Sequence, residues 1–346
     1  MHLFSRGAVN LCSVPLTLNS AGSDCVRPLD QFFPDPNNPD PYGSVDRKSD
    51  IGSSSYHALG ILLERRFSSG VSMQARYTYG HSINDGSVGG GESSGPENIN
   101  CLQCDKGPSA FDIRHNFTAS AIYELPFGPG KTYLHDSGTV GKVVGGWNVS
   151  SVGIWHTGHP LTVQMNLRGS IPTGPFAGFS DTYLLPDGND DTSQRPDVVP
   201  GVPLTLPGGG HNDVPLINPA AFQAPPVDGN GFFTRFGDAG NGLIRALPSW
   251  QIDLALMKNT KINERFSLEF GIQAFNVFNH TQLGDPNELR LNYDPTATTT
   301  GFLTQRPGFG VITSTVNFNN NNDNVASPNT GTGLPRQLQF MVRFRF

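Results

Sequence analysis

Residues 336–346 read R-Q-L-Q-F-M-V-R-F-R-F, an alternation that leaves this part of the chain little choice of conformation. Leu338, Phe340, Val342, Phe344 and Phe346 fall on one side of an extended backbone, and Gln337, Gln339, Arg343 and Arg345 on the other; only Met341 interrupts the polar side. Successive side chains of a strand point to opposite faces, so this period belongs to a strand and not to a helix. A strand of a soluble sandwich shares the period, but five large apolar groups on one side, ending on an aromatic, suit a lipid neighbour better. A barrel strand crosses the hydrocarbon in about 9–11 tilted residues, apolar outside and polar toward the lumen, with aromatics at the interfaces.

Composition agrees with an all-β chain. Among 346 residues there are 41 glycines and 28 prolines, and only 15% are charged, which predicts many turns and long loops in place of charged helices. The formal net charge of -6 provides no basic field for nucleic acid, so no nucleic-acid partner is expected. No run approaches the 18 apolar residues of a membrane helix, the densest being 59–63; a barrel strand is untouched by that test, because alternation keeps hydropathy low. The start, M-H-L-F-S-R-G-A-V-N-L-C, lacks the charged, apolar and small-residue regions of an export leader, although everything after it reads as exported. Met1 is therefore not expected to be the natural start.

The same period of two recurs upstream. In 71–81, Val71, Met73, Ala75, Tyr77 and Tyr79 oppose Ser72, Gln74, Arg76 and Thr78. In 116–125, Phe117, Ala119, Ala121, Tyr123 and Leu125 oppose Asn116, Thr118, Ser120 and Glu124, with Ile122 as the exception. Trp250, Ile252, Leu254 and Leu256 alternate with Gln251 and Asp253. After N-T-K-I-N at 259–263, Phe266, Leu268, Phe270, Ile272 and Ala274 alternate with Arg265, Ser267, Glu269 and Gln273, which predicts a hairpin. Fainter strands are expected at 56–66 and at 146–157, where Trp147, Val149 and Trp155 mark one face.

The gaps between these strands alternate in length: 67–70, 126–145 and 259–263 are the shorter, 82–115, 158–247 and 280–335 the longer. Outer-membrane barrels have short periplasmic turns and long extracellular loops, whereas a sandwich has no reason to sort loops by parity. With Phe346 at the periplasmic rim the parity is consistent. Segment 309–317, F-G-V-I-T-S-T-V-N, is expected either as a hairpin arm in the last outer loop or as a further wall strand. The expected architecture is an antiparallel transmembrane β-barrel segment of about 7–9 strands with long outer loops, residues 1–55 forming an irregular N-terminal segment and 56–346 the wall. Single-chain bacterial barrels carry even numbers of strands from eight upward. An odd count therefore predicts a partial barrel, an open curved sheet.

Several blocks resemble the C-terminal barrel of TonB-dependent outer-membrane receptors, in particular the Oar-like group. They are E-R-R-F-S-S-G-V-S-M-Q-A-R-Y-T-Y-G-H-S-I-N-D (64–85), F-D-I-R-H-N-F-T-A-S-A-I-Y-E-L-P-F-G (111–128), G-G-W-N-V (145–149), W-H-T-G-H-P-L-T-V (155–163) and F-S-L-E-F-G-I-Q-A-F-N-V-F-N-H (266–280), together with the terminal strand. The resemblance covers most of 42–346. It implies a place in the last third of a barrel of about 22 strands closed by an N-terminal plug, in the outer membrane of a Gram-negative cell. The plug, the TonB box and the signal peptide are not found in this sequence, so contact with the TonB complex is expected only through a part outside it. Phe340, Phe344 and above all Phe346 resemble the C-terminal signal read by the barrel-assembly machinery. The implied partners are outer-membrane lipid, that machinery, and a small-molecule, sugar or peptide substrate.

Candidate sites are few. Arg76, Arg265, Glu269, Arg343 and Arg345 are expected to face the lumen, as wall charges or as contacts to plug or solute. Cys101 and Cys104, in C-L-Q-C, fall in an outer loop, with Cys12 and Cys25 on the same side. An oxidising compartment favours disulfides there over a zinc ribbon, and three pairings of the four are open. L-P-F-G-P-G-K-T at 125–132 has Leu125 where a phosphate loop needs its first glycine, and reads as a Pro-Gly turn. His156 and His159 flank Gly158 and precede Pro160, so an interfacial strand end is expected there in place of a helical metal pair. D-G-N-D-D at 187–191 reads as a turn, with calcium as the alternative. No catalytic constellation, cofactor site or metal site is expected, and the chain is not expected to be an enzyme. Two other classes stay in view: an adhesive or structural outer-membrane barrel assembled from several chains through unpaired edges, and a soluble carbohydrate-binding sandwich, which the exposed Tyr77, Tyr79, Phe340 and Phe344 oppose.

Overall fold

The computed structural model describes residues 3–6, 46–49, 52–86, 97–98, 101–134, 138–167, 194–211, 213–229, 233–262, 265–315 and 335–346. Seven of its strands form one meander in which every neighbour in sequence is a neighbour in space: β1 (Ser54–Ser68), β2 (Val71–Asn84), β3 (His115–Glu124), β4 (Trp147–His156), β5 (Ser249–Lys261), β6 (Ser267–Phe275) and β7 (Gln337–Arg345). All six pairings are antiparallel. Each strand reaches the roughly 9–11 residues that a tilted crossing needs. The fold is all-β, an antiparallel barrel segment left as an open sheet, with β1 and β7 as its edges.

The register lines up like with like. Phe340, Ile272, Leu256, Val149, Tyr123 and Val71 make one row across β7 to β2, and Leu338, Ala274, Leu254, Ser151, Ala121 and Met73 the next row on the same face. Toward the long-loop end the face carries Trp250, Trp155, Phe117 and Tyr77, and toward the turn end Val342, Phe270 and Trp147. Trp147 and Trp155 stand eight residues apart on β4. At about 3.3 Å per residue that is roughly 26 Å along the strand, which suits aromatic girdles around a hydrocarbon band about 25 Å tall.

The other face is polar. Its rows include Arg343, Glu269 and Asn259; then Gln339, Gln273, Ala255, Ser150, Ile122 and Ser72; then Asp253, Val152, Ser120, Gln74 and Glu64. This side lines a hollow of about 660 Å³ that includes Gln74, Arg76, Thr118 and Ser120.

Short and long connections separate by end, as the gap lengths predict. The β1–β2 turn is the pair Ser69–Gly70, both at positive φ (53° and 79°), the conformation that matches the twist of a two-residue hairpin and that glycine enters without strain. Residues 125–146 and 262–266 close the same end. At the opposite end, parts of 157–248 and 276–336 interlock: Arg290–Tyr293 pairs in parallel with Gln164–Asn166 and antiparallel with Leu303–Gln305, and Ile244–Arg245 pairs with Pro160–Leu161.

Among the described residues, the buried apolar side chains lie in this cap and not in the sheet. Leu161, Met165, Ile217, Leu291 and Phe309 are among its largest fully buried members. The sheet leaves its own large apolar groups bare, Leu59, Ile61, Phe340 and Val342 among them, Phe340 at 67% exposure. A water-soluble sheet would reverse that arrangement, since each buried aliphatic or aromatic group gains about 1.5–3 kcal/mol in water. In lipid the wall is held by its antiparallel backbone ladder instead.

Several expectations need correction. The faint strand at 56–66 is the longest in the wall, at 15 residues. Pairing of β5 with β6 runs on to Lys261, so the turn lies further along than N-T-K-I-N. Segment 309–317 is neither hairpin arm nor wall strand among the described residues. Phe309 makes an isolated bridge to Glu288 and Thr315 one to Leu283, because Phe309 is drawn into the cap core. Within the irregular N-terminal segment, Leu3–Arg6 pairs with Asp46–Ser49. Cys12, Cys25, 187–191 and 316–317 lie outside the described residues.

Candidate functional site

The expected lumen charges separate into two groups. Near the turn end, Glu269 sits opposite Arg343 and accepts from Arg345, with nitrogen to oxygen distances of 3.8 and 2.9 Å. Both arginines are more than half exposed, so each pair is worth about 0–1 kcal/mol and serves mainly to hold β7 in register. Arg265 lies in the turn before β6, at the rim and not in the wall, because the strand begins only at Ser267. Arg76 stands apart in the hollow, with Gln74 and Thr118 beside Ile61 and Leu62 in its lining. Phe346 is 94% exposed at the turn end, beyond Phe344, whose ring stacks on Phe266 at 5.5 Å and on Phe346 at 6.4 Å.

The F-N-V-F-N-H block acquires a physical reason. Asn276 and Asn279 take positive φ (49° and 51°), which asparagine tolerates better than most side chains. The buried Asn276 side chain accepts from the His280 amide and donates to the His280 carbonyl, both at 2.9 Å, and its own amide donates to Asp253 at 2.8 Å. Asn279 accepts from the Arg336 amide at 2.9 Å, fixing the start of β7. The block turns β6 away from the wall and ties both ends of the last outer loop. Beside it, Gln282 accepts from Ser249 at 2.7 Å and donates to the Trp250 carbonyl.

Where cap meets wall, Asp112 is almost fully buried. It accepts from the Ser82 amide of β2 at 2.7 Å and from Arg245 of the cap at 2.5 Å, with His81 at 3.4 Å and Arg114 at 3.7 Å. Arg245 also donates to the Asp112 and Gly158 carbonyls. Burial works against ionisation of Asp112, but the Arg245 hydrogen bond, the Ser82 amide and the Arg245 charge together outweigh it and hold the carboxyl below its ordinary 3.8. A depressed carboxylate stabilises the folded state above its unfolded pKa, and that contribution is lost as pH falls through the folded value. Protease resistance of the cap is therefore expected to persist at neutral pH and to decline only below about pH 4. Asp112→Asn should lower resistance at neutral pH and remove that acid limb; an unchanged acid profile in the variant would show that another group sets it.

A second buried cluster closes the outer loops on one another. Arg195 meets Glu97 and Asp105 at 2.5 Å each and donates to the Cys104 carbonyl at 3.2 Å, while its backbone amide donates to Glu97 at 2.7 Å. All three charged side chains are at most 6% exposed. Cys101 and Cys104 are joined in a disulfide across the short 3-10 turn Leu102–Asp105. The two histidines of H-T-G-H take separate partners: His156 Nδ1 lies 3.0 Å from the Thr157 carbonyl, and His159 Nε2 lies 2.9 Å from Asp285. Lys131 of the Pro-Gly turn pairs with Glu124 at 2.6 Å.

Sequence reasoning missed Asp112, Arg245, Glu97, Asp105 and Arg195. Asp112 and Arg114 stand inside a quoted family block, and their charge amid apolar neighbours was the available signal; Arg195 carried none.

A family model described as an outer membrane beta barrel domain matches residues 2–339. No curated protein and no solved structure gave a match.

Proposed function

This chain belongs to the outer membrane beta barrel domain family and resides in the outer membrane, and on that premise we propose that it forms the C-terminal wall and outer cap of an Oar-like TonB-dependent receptor, serving solute uptake without enzymatic activity. The observation that carries the reading is the division of the molecule: the seven strands of the meander bare apolar groups on one face, while the well-buried core of the described residues lies in the long connections at one end. A core of this kind gives the outer loops a fixed shape on which a sugar, peptide or other small solute can be recognised, and the hollow lined by Arg76 lies on the lumen side of the wall. Closure needs further strands, since single-chain barrels of this kind begin at about eight. In this reading the same receptor polypeptide supplies them, together with the plug and the contact to the TonB complex. Phe346 is the residue that the barrel-assembly machinery reads.

The bare edges β1 and β7 favour one second reading, an adhesive or structural barrel built from several copies of this chain. Outer membranes of cells carrying the gene, extracted without boiling and probed for this chain, separate the two. The expected result is a heat-modifiable barrel containing additional receptor strands, with uptake of a labelled ferric siderophore, oligosaccharide or peptide that stops when the TonB complex is deleted. A barrel of this chain alone, indifferent to TonB, overturns the receptor reading in favour of self-assembly.

A further inference from the structure

The 125–146 turn is long for the periplasmic end and is built in a way that a mere connection does not need. It contains the helix α1 (Gly138–Val144). A Cβ on Gly145 would stand 2.6 Å from the Gly141 carbonyl and 2.9 Å from Gly128 Cα, so the end of α1 is pressed closely against the start of the same turn. Val140 and Val143 of this helix are nonetheless exposed at 57% and 63%, and Tyr133 and Leu134 of the same connection are exposed as well.

Lys258 connects this turn to the lipid-facing side of the wall. Its backbone sits in the row of Val342, Phe270 and Trp147, an apolar row apart from the lysine itself. The ammonium lies 5.1 Å from the Trp147 ring centre and donates to the carbonyls of Val143 and Gly145 at 2.5 and 2.8 Å. A cation on an apolar face is costly unless it is hydrogen-bonded, and the last carbonyls of a helix are unsatisfied acceptors at the negative end of its dipole. Each satisfies the other, and the result draws the end of α1 to the outward side of the rim.

We propose that α1 is an interfacial anchor that lays Val140 and Val143 among the glycerophospholipids of the periplasmic leaflet, with Lys258 as the clamp that positions it. The occupant is lipid because the patch is continuous, through Lys258 and Trp147, with the face already turned to the bilayer. The inference rests on the wall crossing the membrane, which the same experiment tests independently.

The photoreactive residue p-benzoyl-L-phenylalanine is placed at Val143, at Val140 as a second helix position, at outward Phe340 and at inward Gln339. Full chains that retain heat-modifiable migration are irradiated in their own outer membranes, and the adducts are identified by mass spectrometry. Phospholipid adducts at Phe340, Val140 and Val143, and none at Gln339, are expected; Lys258→Met should cause a severalfold loss of the Val143 adduct, with Lys258→Arg restoring it. Phospholipid at Phe340 but none at either helix position overturns the anchor and leaves the wall intact. Protein adducts at Val143, whether to a second copy or to a periplasmic protein, overturn it likewise, as do lipopolysaccharide adducts, which would put this rim in the outer leaflet. Failure at Phe340 as well removes the wall reading along with it.

Discussion

Leu254→Arg is expected to block stable insertion, whereas Ala255→Arg, one residue along the same strand, leaves it nearly unchanged. Leu254 shares the outward row of Leu338 and Ala274, midway between the aromatic rows at Trp147 and Trp250 on their paired strands. A guanidinium at that depth costs about 2–4 kcal/mol on the lipid face. Ala255 points the other way, between Gln273 and Ser150, where water accommodates the charge. Heat-modifiable migration of the two variants, with urea titration of the folded band, measures the difference. Equal effects, or the opposite order, would mean that the apolar face does not meet lipid. Were this bare sheet to stand in water, both faces would be wet and the two variants would be tolerated alike.

Arg195→Ala should open the cap while leaving the wall folded. Removing the guanidinium leaves Glu97 and Asp105 buried together without a cation, and breaking a buried pair by removing one partner costs about 3–5 kcal/mol. The charges link the segment around the Cys101–Cys104 disulfide to the loop between β4 and β5. Protease added to intact cells should cut the outer loops severalfold faster in the variant, with heat-modifiability unchanged. Arg195→Lys should recover only part of the protection, because one ammonium cannot reproduce the forked contact to two carboxylates and the Cys104 carbonyl. If the alanine variant proves as resistant as the parent chain, the cluster does not hold the cap shut.

Much of the wall was legible because lipid-facing strands repeat a local rule. The alternation in 71–81, 116–125 and 336–346 assigned each side chain to a face, and the register then aligned Phe340, Ile272, Leu256 and Val149 without a misplaced residue. Even the apparent exception, Ile122, is a true inward residue beside Ser150. The gap lengths were legible too, since short and long connections separate by end of the sheet. The cap was not legible. Its small strands, such as Asp197–Val198 with Phe222–Gln223, are too short to show a period, and its core forms from residues far apart in sequence. Segment 309–317 shows the limit: its apolar run resembles a strand locally, and only contact with Ile217 and Glu288 makes it part of a core. The charge clusters were hidden likewise, with 98 residues between Glu97 and Arg195 and 133 between Asp112 and Arg245.

Local alternation was enough to assign the compartment, the strand order and the two faces of the wall, because a bilayer imposes one period on every strand that crosses it and disfavours charge on one side. How the long loops pack, why Asn276 and Asn279 stand where they do, and where the buried charges meet become visible only in the folded chain. Those depend on long-range closure, in which a carboxylate can be buried only if a distant arginine arrives to pair with it.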